Sequence, residues 1–180
     1  LMLAGYSHFE SVGLKRPAHW GRSVGIALMW ALGLQILSKG LLNPLVDVLF
    51  GITRSSFYDA ASKSFIGYLG WIALGVLFSG FFEEFAYRGI LLNQFERWMG
   101  EFRLRTWVSL ASSSFLFGLV HYFSQGVRGI LPATVLGLCF GGIYLRHKRN
   151  LWLVILAHGG FNFISFSLDY MGLSHPIAQF

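Results

Sequence analysis

Charge is scarce in this sequence of 180 residues: Asp, Glu, Lys and Arg make up 12% of it, against about 25% in soluble domains. With 54% hydrophobic residues, the chain cannot be disordered. It is equally unlike a water-soluble domain, which needs polar cover for the surface it leaves exposed. Cysteine is rarer still. Cys139 stands alone, which excludes an intrachain disulfide and a Cys-based zinc site. No H-E-x-x-H spacing occurs, and there is no internal repeat or low-complexity tract. The opening Leu1 to Gly5 is too short for the apolar region of a signal peptide, and a chain that starts at Leu1 leaves an upstream segment open.

Long apolar runs are what the sequence has instead. Five reach or approach the ~20 helical residues needed to cross a hydrocarbon core: Ser23 to Leu42, Ser64 to Phe82, Thr106 to Val127, Gly129 to Leu145 and Asn150 to Leu168. Open sheets cannot satisfy their backbone groups in lipid, so each run is expected to be helical. The predicted fold class is an all-α, polytopic integral membrane helical bundle of about five spans, forming one membrane domain over residues 1–180. Phe9 to Trp20 is expected to lie at the interface, with Trp20 as an anchor. Lys39 is expected to snorkel from the first span, Pro44 to stop it, and Asn43 to Lys63 to form a loop with a short surface helix. Gly137, Gly141 and Gly142 are positions where small residues let helices approach closely.

The net charge of +6 does not point to nucleic acid, because the basic residues sit singly or in short clusters between apolar runs, as membrane-flanking residues do. With the N-terminal segment inside, nine Lys and Arg fall on the inner side (Lys15, Arg16, Arg22, Arg97, Arg103, Arg105, Arg146, Lys148, Arg149) and four on the outer (Lys39, Arg54, Lys63, Arg128). The positive-inside rule then predicts an inside N-terminus and an outside C-terminus.

Against this apolar background a few polar residues stand out. Glu83, Glu84 and Arg88 interrupt an apolar stretch, and an unpaired charge at mid-membrane costs roughly 2.5–3.5 kcal/mol. Glu84 and Arg88 are spaced i,i+4 and share a helix face, acid before base, which is the favourable order. Glu83 projects about 100° away. As a bare salt bridge capping a helix at the interface, the cluster would have no chemistry. His121 in the third run and His158 in the fifth change that reading, and His158 lies one turn from Asn162. Either histidine alone is readily explained by a hydrogen bond to a neighbour. Together, these residues on three helices can hold and deprotonate a water while His and Asn donors stabilise the oxyanion it forms on a carbonyl. Two further readings stay open: a metalloprotease using His121, His158 and Glu83 as zinc ligands, and a non-catalytic membrane protein such as a proton-coupled carrier, immunity or scaffold protein.

E-E-x-x-x-R, F-x-x-x-H and H-x-x-x-N, in that order on successive membrane helices, resemble the CPBP family of intramembrane proteases. That family includes the CAAX prenyl endopeptidase and bacterial Abi-type relatives. The resemblance covers roughly Trp71 to Leu168, including the glycine-rich Leu136 to Leu145, and no motif in Leu1 to Ser64 transfers. It implies an intramembrane glutamate endopeptidase without a cofactor, acting on a membrane-associated protein or peptide. In it, Glu83 would activate water with His121, Glu84 and Arg88 would support the site, and His158 with Asn162 would line an oxyanion hole. A compact chain of this kind looks bacterial, which suggests the cytoplasmic (inner) membrane.

Depth poses one difficulty. At 1.5 Å per residue, Glu83 lies about 28 Å from Ser64, His121 about 22 Å from Thr106 and His158 about 12 Å from Asn150, and these depths do not converge. The favoured resolution is that Trp71 to Phe95 is the membrane portion of the second helix, which brings the glutamates towards mid-depth.

Overall fold

The structure is a computed structural model that describes residues 12–51 and 64–173. These residues form helices α1 (Trp20–Phe50), α2 (Phe65–Trp98), α3 (Arg105–Val120), α4 (Tyr122–Gln125), α5 (Val127–Arg146) and α6 (Leu151–Tyr170), with no strand among them. Four of them, α1, α2, α5 and α6, are long and apolar enough to cross a membrane. The third predicted run is shorter than expected. Its helix, α3, has 16 residues, or about 24 Å, and closes before His121. There the backbone N–H of His121 bonds Gly118 O instead of Phe117 O, while its own ring Nδ1 lies 2.8 Å from Phe117 O. Four-residue α4 follows, Gly126 turns the chain at a φ of +66°, and α5 starts.

Polarity is distributed inside out. Met29, Ile36, Ile66, Leu77 and Phe78 point outward from α1 and α2, whereas Gln35, Glu84, Arg88, Ser109, Ser113, Ser114 and His158 are buried. Water would make both arrangements costly, and lipid makes the first favourable. The chain is an integral membrane protein.

Three expectations need correction. Pro44 does not stop the first helix, because Ser38–Leu42 is wound as a π-helix, with the N–H of Asn43 reaching back five residues to Ser38 O. The wider turn accommodates a residue that has no N–H to donate and whose ring would crowd an α-helical carbonyl. Asn43–Phe50 therefore continues α1 instead of forming a separate surface helix, and residues 52–63 of the expected loop lie outside the described ones. The described part of the segment expected at the interface, Val12 to His19, is irregular and bonds the bundle without contradicting that placement: Gly13 O accepts the Leu151 N–H at 2.8 Å. Phe9 to Ser11 also lie outside the described residues, and Trp20, at the start of α1, meets Trp152 edge-on. Gly142 has open space around its Cα, unlike Gly137, which faces Ser114 and Phe117, and Gly141, which faces Leu110.

α6 is the central element, packed against α1 and α2, while α3 packs against α5. The core gathers Leu151, Val154 and Phe161 of α6 with Ala31 of α1, Leu92 of α2 and Phe140 and Tyr144 of α5. Helix α2 is the unusual one. Over Leu74–Glu83 and Phe85–Leu92 it too is π-helical, a winding that in most proteins is confined to single turns and is frequent at functional sites. Gly75 and Gly80, five residues apart on this widened surface, are both buried where α2 meets α6. A Cβ on Gly80 would lie 3.1 Å from the Cα of Gly159, so the two backbones nearly touch. Glu83 and Glu84 lie about midway along this continuous 34-residue helix, which also contains all of Trp71 to Phe95.

Candidate active site

Glu84 is fully buried, and one of its oxygens serves two partners. Arg88 Nη1 donates to Glu84 Oε1 at 2.9 Å, and His158 Nδ1 lies 2.7 Å from the same oxygen. The i,i+4 spacing of the two α2 residues is visible locally. The third member comes from α6, 74 residues further along the chain, through the glycine contact that lets α2 and α6 approach. Arg88 also donates Nη2 to Gly137 O of α5 at 2.8 Å, so three helices meet at one guanidinium.

Aromatic rings surround this polar knot. Phe140 stacks on His158 with centroids 4.4 Å apart, and the Arg88 guanidinium lies 4.8 Å from the centre of the Phe117 ring. Phe117 also contacts His121 at 4.6 Å, Tyr87 at 5.1 Å and His158 at 6.1 Å. Cation–π attraction offsets part of the desolvation of Arg88, and the rings keep the surroundings of low dielectric, which strengthens each bond inside.

The six predicted residues do not all behave alike. Glu84, Arg88 and His158 are joined directly. Glu83 is half-buried on the neighbouring face, and its Oε2 is enclosed without a hydrogen-bond partner, as is Oε2 of Glu84. Two orphaned carboxylate oxygens on consecutive residues are costly unless they serve something that enters the site. His121, half-buried at the end of α3, directs Nδ1 at a carbonyl, which can only accept. Nδ1 therefore donates to it, and Nε2 is the ring nitrogen which that bond leaves to the site. Asn162 shares a helix face with His158 but does not join the knot: its Nδ2 donates to Gly75 O on α2 at 2.9 Å.

Among the described residues no three His, Cys, Asp or Glu side chains gather as a metal-ligand set. His121, His158 and Glu83, the ligands of the zinc alternative, are not brought together as one.

Sequence reasoning missed the parts that local spacing does not encode. Phe140 and Gly137 contact the site from α5. Asn93, one turn beyond Arg88, donates Nδ2 to Gly89 O at 2.8 Å and to Arg88 O at 3.1 Å, and it reaches Tyr144 Oη. An amide in an apolar stretch of α2 was the available signal.

Comparison with known proteins gives no significant match to a curated protein or to a solved structure. One family does match, described as type II CAAX prenyl endopeptidase Rce1-like, over residues 65–164. That stretch begins with α2, ends within α6, and takes in every residue of the cluster. A buried glutamate shared by an arginine and a histidine, in an all-helical membrane bundle, thus lies wholly within the match, and the chain belongs to the type II CAAX prenyl endopeptidase Rce1-like family.

Proposed function

We propose that this chain is an intramembrane endopeptidase that hydrolyses a peptide bond of a membrane-associated protein or peptide by glutamate-activated water. The observation that carries the reading is the pair of consecutive glutamates with opposite circumstances: Glu84 bound to Arg88 and His158, Glu83 beside it with an enclosed, unpartnered oxygen. A carboxylate tied to an arginine and a histidine is a support. Its neighbour is available to take a proton.

In this mechanism Glu83 and Nε2 of His121 hold the attacking water, and Glu83 removes its proton. The resulting hydroxide attacks the scissile carbonyl. Glu84 orients His158 through Nδ1, so that the ring's Nε2 edge faces the developing oxyanion as a donor. Asn162 has a second Nδ2–H beyond the one given to Gly75 O, and it supplies a further donor from the same face of α6. The proton held by Glu83 then passes to the leaving amine, and the peptide bond breaks. No cofactor enters these steps. The distribution of basic residues favours an inside N-terminal segment, and a compact chain of this kind suits a bacterial cytoplasmic membrane.

Glu83→Gln keeps the shape of the side chain and removes the base. Membranes carrying Glu83→Gln should accumulate an uncleaved precursor that quantitative proteomics detects against wild type, with the variant inserted and folded normally. General acid–base groups contribute about 10²–10⁴-fold to rate, so cleavage should fall by about 100-fold or more. A folded Glu83→Gln protein with full activity defeats the proposal, as does activity lost to a chelator and restored by zinc.

A further inference from the structure

Among the described residues, the two ends of the bundle differ in how their cations are held. At the end formed by the C-terminal parts of α1 and α6 and the start of α5, Lys39 pairs with Asp169 and Arg128 with Asp47. At the opposite end, where α2 finishes, α3 begins and α5 turns into α6, Arg97, Arg103, Arg146 and Lys148 form no ion pair with a described residue. Here a cleft of about 330 Å³ opens between the helix ends, lined by Asn93, Glu96, Arg97, Arg105, Thr106 and Arg149.

The lining charges are not equivalent. Arg149 is already committed, with Nη1 2.8 Å from Glu96 Oε2, Nη2 2.9 Å from Glu96 Oε1 and Nη1 2.6 Å from Asn93 Oδ1. That bidentate pair is neutral and forms one wall. The surplus charge belongs to Arg97 and Arg105. Arg105 donates Nη1 to Gly100 O and lies 4.0 Å from the fully exposed Glu101 carboxylate, a distance that leaves much of its charge free. Thr106, whose side chain hydrogen-bonds Glu96, lies in the first turn of α3, which has neither a side-chain cap nor an acidic residue of its own for its free N–H groups. Those groups favour an anion.

A second observation locates this cleft relative to lipid. Trp98, Phe102, Leu104 and Trp107, from the same turn and helix ends, are all exposed, with Trp98 at 70% and Trp107 at 66%. Indole side chains concentrate at the headgroup level of a bilayer, so a cationic cleft flanked by two outward tryptophans opens where lipid phosphates lie. Basic pockets between helices at this level suit anionic headgroups.

We propose that this cleft binds the phosphate of one anionic phospholipid headgroup, with Arg97 and Arg105 supplying the charge, the α3 N-terminus the hydrogen bonds, and Trp98 and Trp107 flanking the acyl chains. This site is separate from the Glu84 cluster, and the proposal does not depend on the proposed catalytic function.

The test uses the purified full chain in neutral detergent, titrated with phosphatidylglycerol, phosphatidylcholine or inorganic phosphate and read by native mass spectrometry. Wild type should retain one phosphatidylglycerol in preference to phosphatidylcholine, and millimolar inorganic phosphate should not displace it. Arg97→Gln/Arg105→Gln should weaken retention roughly 30-fold, about fivefold per arginine. Arg146→Gln/Lys148→Gln, at the same end but outside the cleft, should leave it unchanged. Equal losses in the two double variants would show diffuse surface charge and overturn the site. So would the absence of any preference over phosphatidylcholine. Inorganic phosphate binding as tightly as the lipid would overturn the lipid as its ligand.

Discussion

Arg88→Met removes a guanidinium that is 1% exposed and leaves Glu84, 0% exposed, without its cation. Breaking a buried pair by deleting one partner costs about 3–5 kcal/mol, because the remaining charge is uncompensated. The variant also frees Gly137 O from its Nη2 donor, which adds about 1–3 kcal/mol if that carbonyl stays buried. Adding Glu84→Gln separates the two costs. The double variant has no unpaired charge at this position, the orphaned Gly137 carbonyl is common to it and to Arg88→Met, and the amide oxygen introduced at position 84 can still accept from His158 Nδ1. The double variant should therefore be more stable than the sum of the single changes by about 2–3 kcal/mol. Reversible unfolding in mixed micelles measures all three variants, and the coupling should survive about 0.5 M salt because buried pairs are weakly screened. Additivity within about 0.5 kcal/mol, or an Arg88→Met penalty below about 1 kcal/mol, would refute the claim that this pair is a desolvated, mutually dependent unit.

The α2–α6 contact makes a second prediction. Gly80→Ala places a Cβ 3.1 Å from Gly159 Cα and 3.2 Å from Gly159 N, and backbone cannot rotate away, so a loss of about 1–3 kcal/mol and a lengthened His158–Glu84 contact should appear in unfolding and in cleavage assays. Gly142→Ala, with open space around it, should be silent in both. His147, between α5 and α6, accepts the Trp30 indole N–H at 3.2 Å, and burial, then the neighbouring Arg146, holds its pKa below the usual histidine value. Its contribution to stability is therefore present above about pH 6.5 and is lost as pH falls through the lower folded value. His147→Gln, which accepts the same bond without titrating, should flatten the fall of the unfolding midpoint below about pH 6.5. An unchanged pH slope would place the titration elsewhere.

Much of the architecture was legible because lipid leaves few options: apolar runs had to be helices, and their bounds followed to within a few residues for α5 and α6. Glu84 and Arg88 were legible as a pair for the same kind of reason, since a local spacing implies a local contact. The winding of α1 past Pro44 was not, because a π-turn replaces the hydrogen bond that proline cannot make and leaves no compositional mark. Nor was the separation of His158 from Asn162. Both share a face of α6, but their partners, Glu84 and Gly75 O, are set by how α2 lies across that face. His121 was expected well inside a long span and instead closes a short helix, because its ring competes with the backbone for Phe117 O.

Phe117 has no proton to give or take, yet its ring touches Tyr87, Arg88, His121 and His158, which belong to three segments of chain. It works as a gauge block: the size of the ring sets the spacing between an imidazole at the end of α3 and another in the middle of α6. The machining tolerance of a polar centre in this membrane protein is thus fixed in part by a hydrocarbon, and a smaller apolar residue there would loosen the alignment of groups whose own bonds had not been altered.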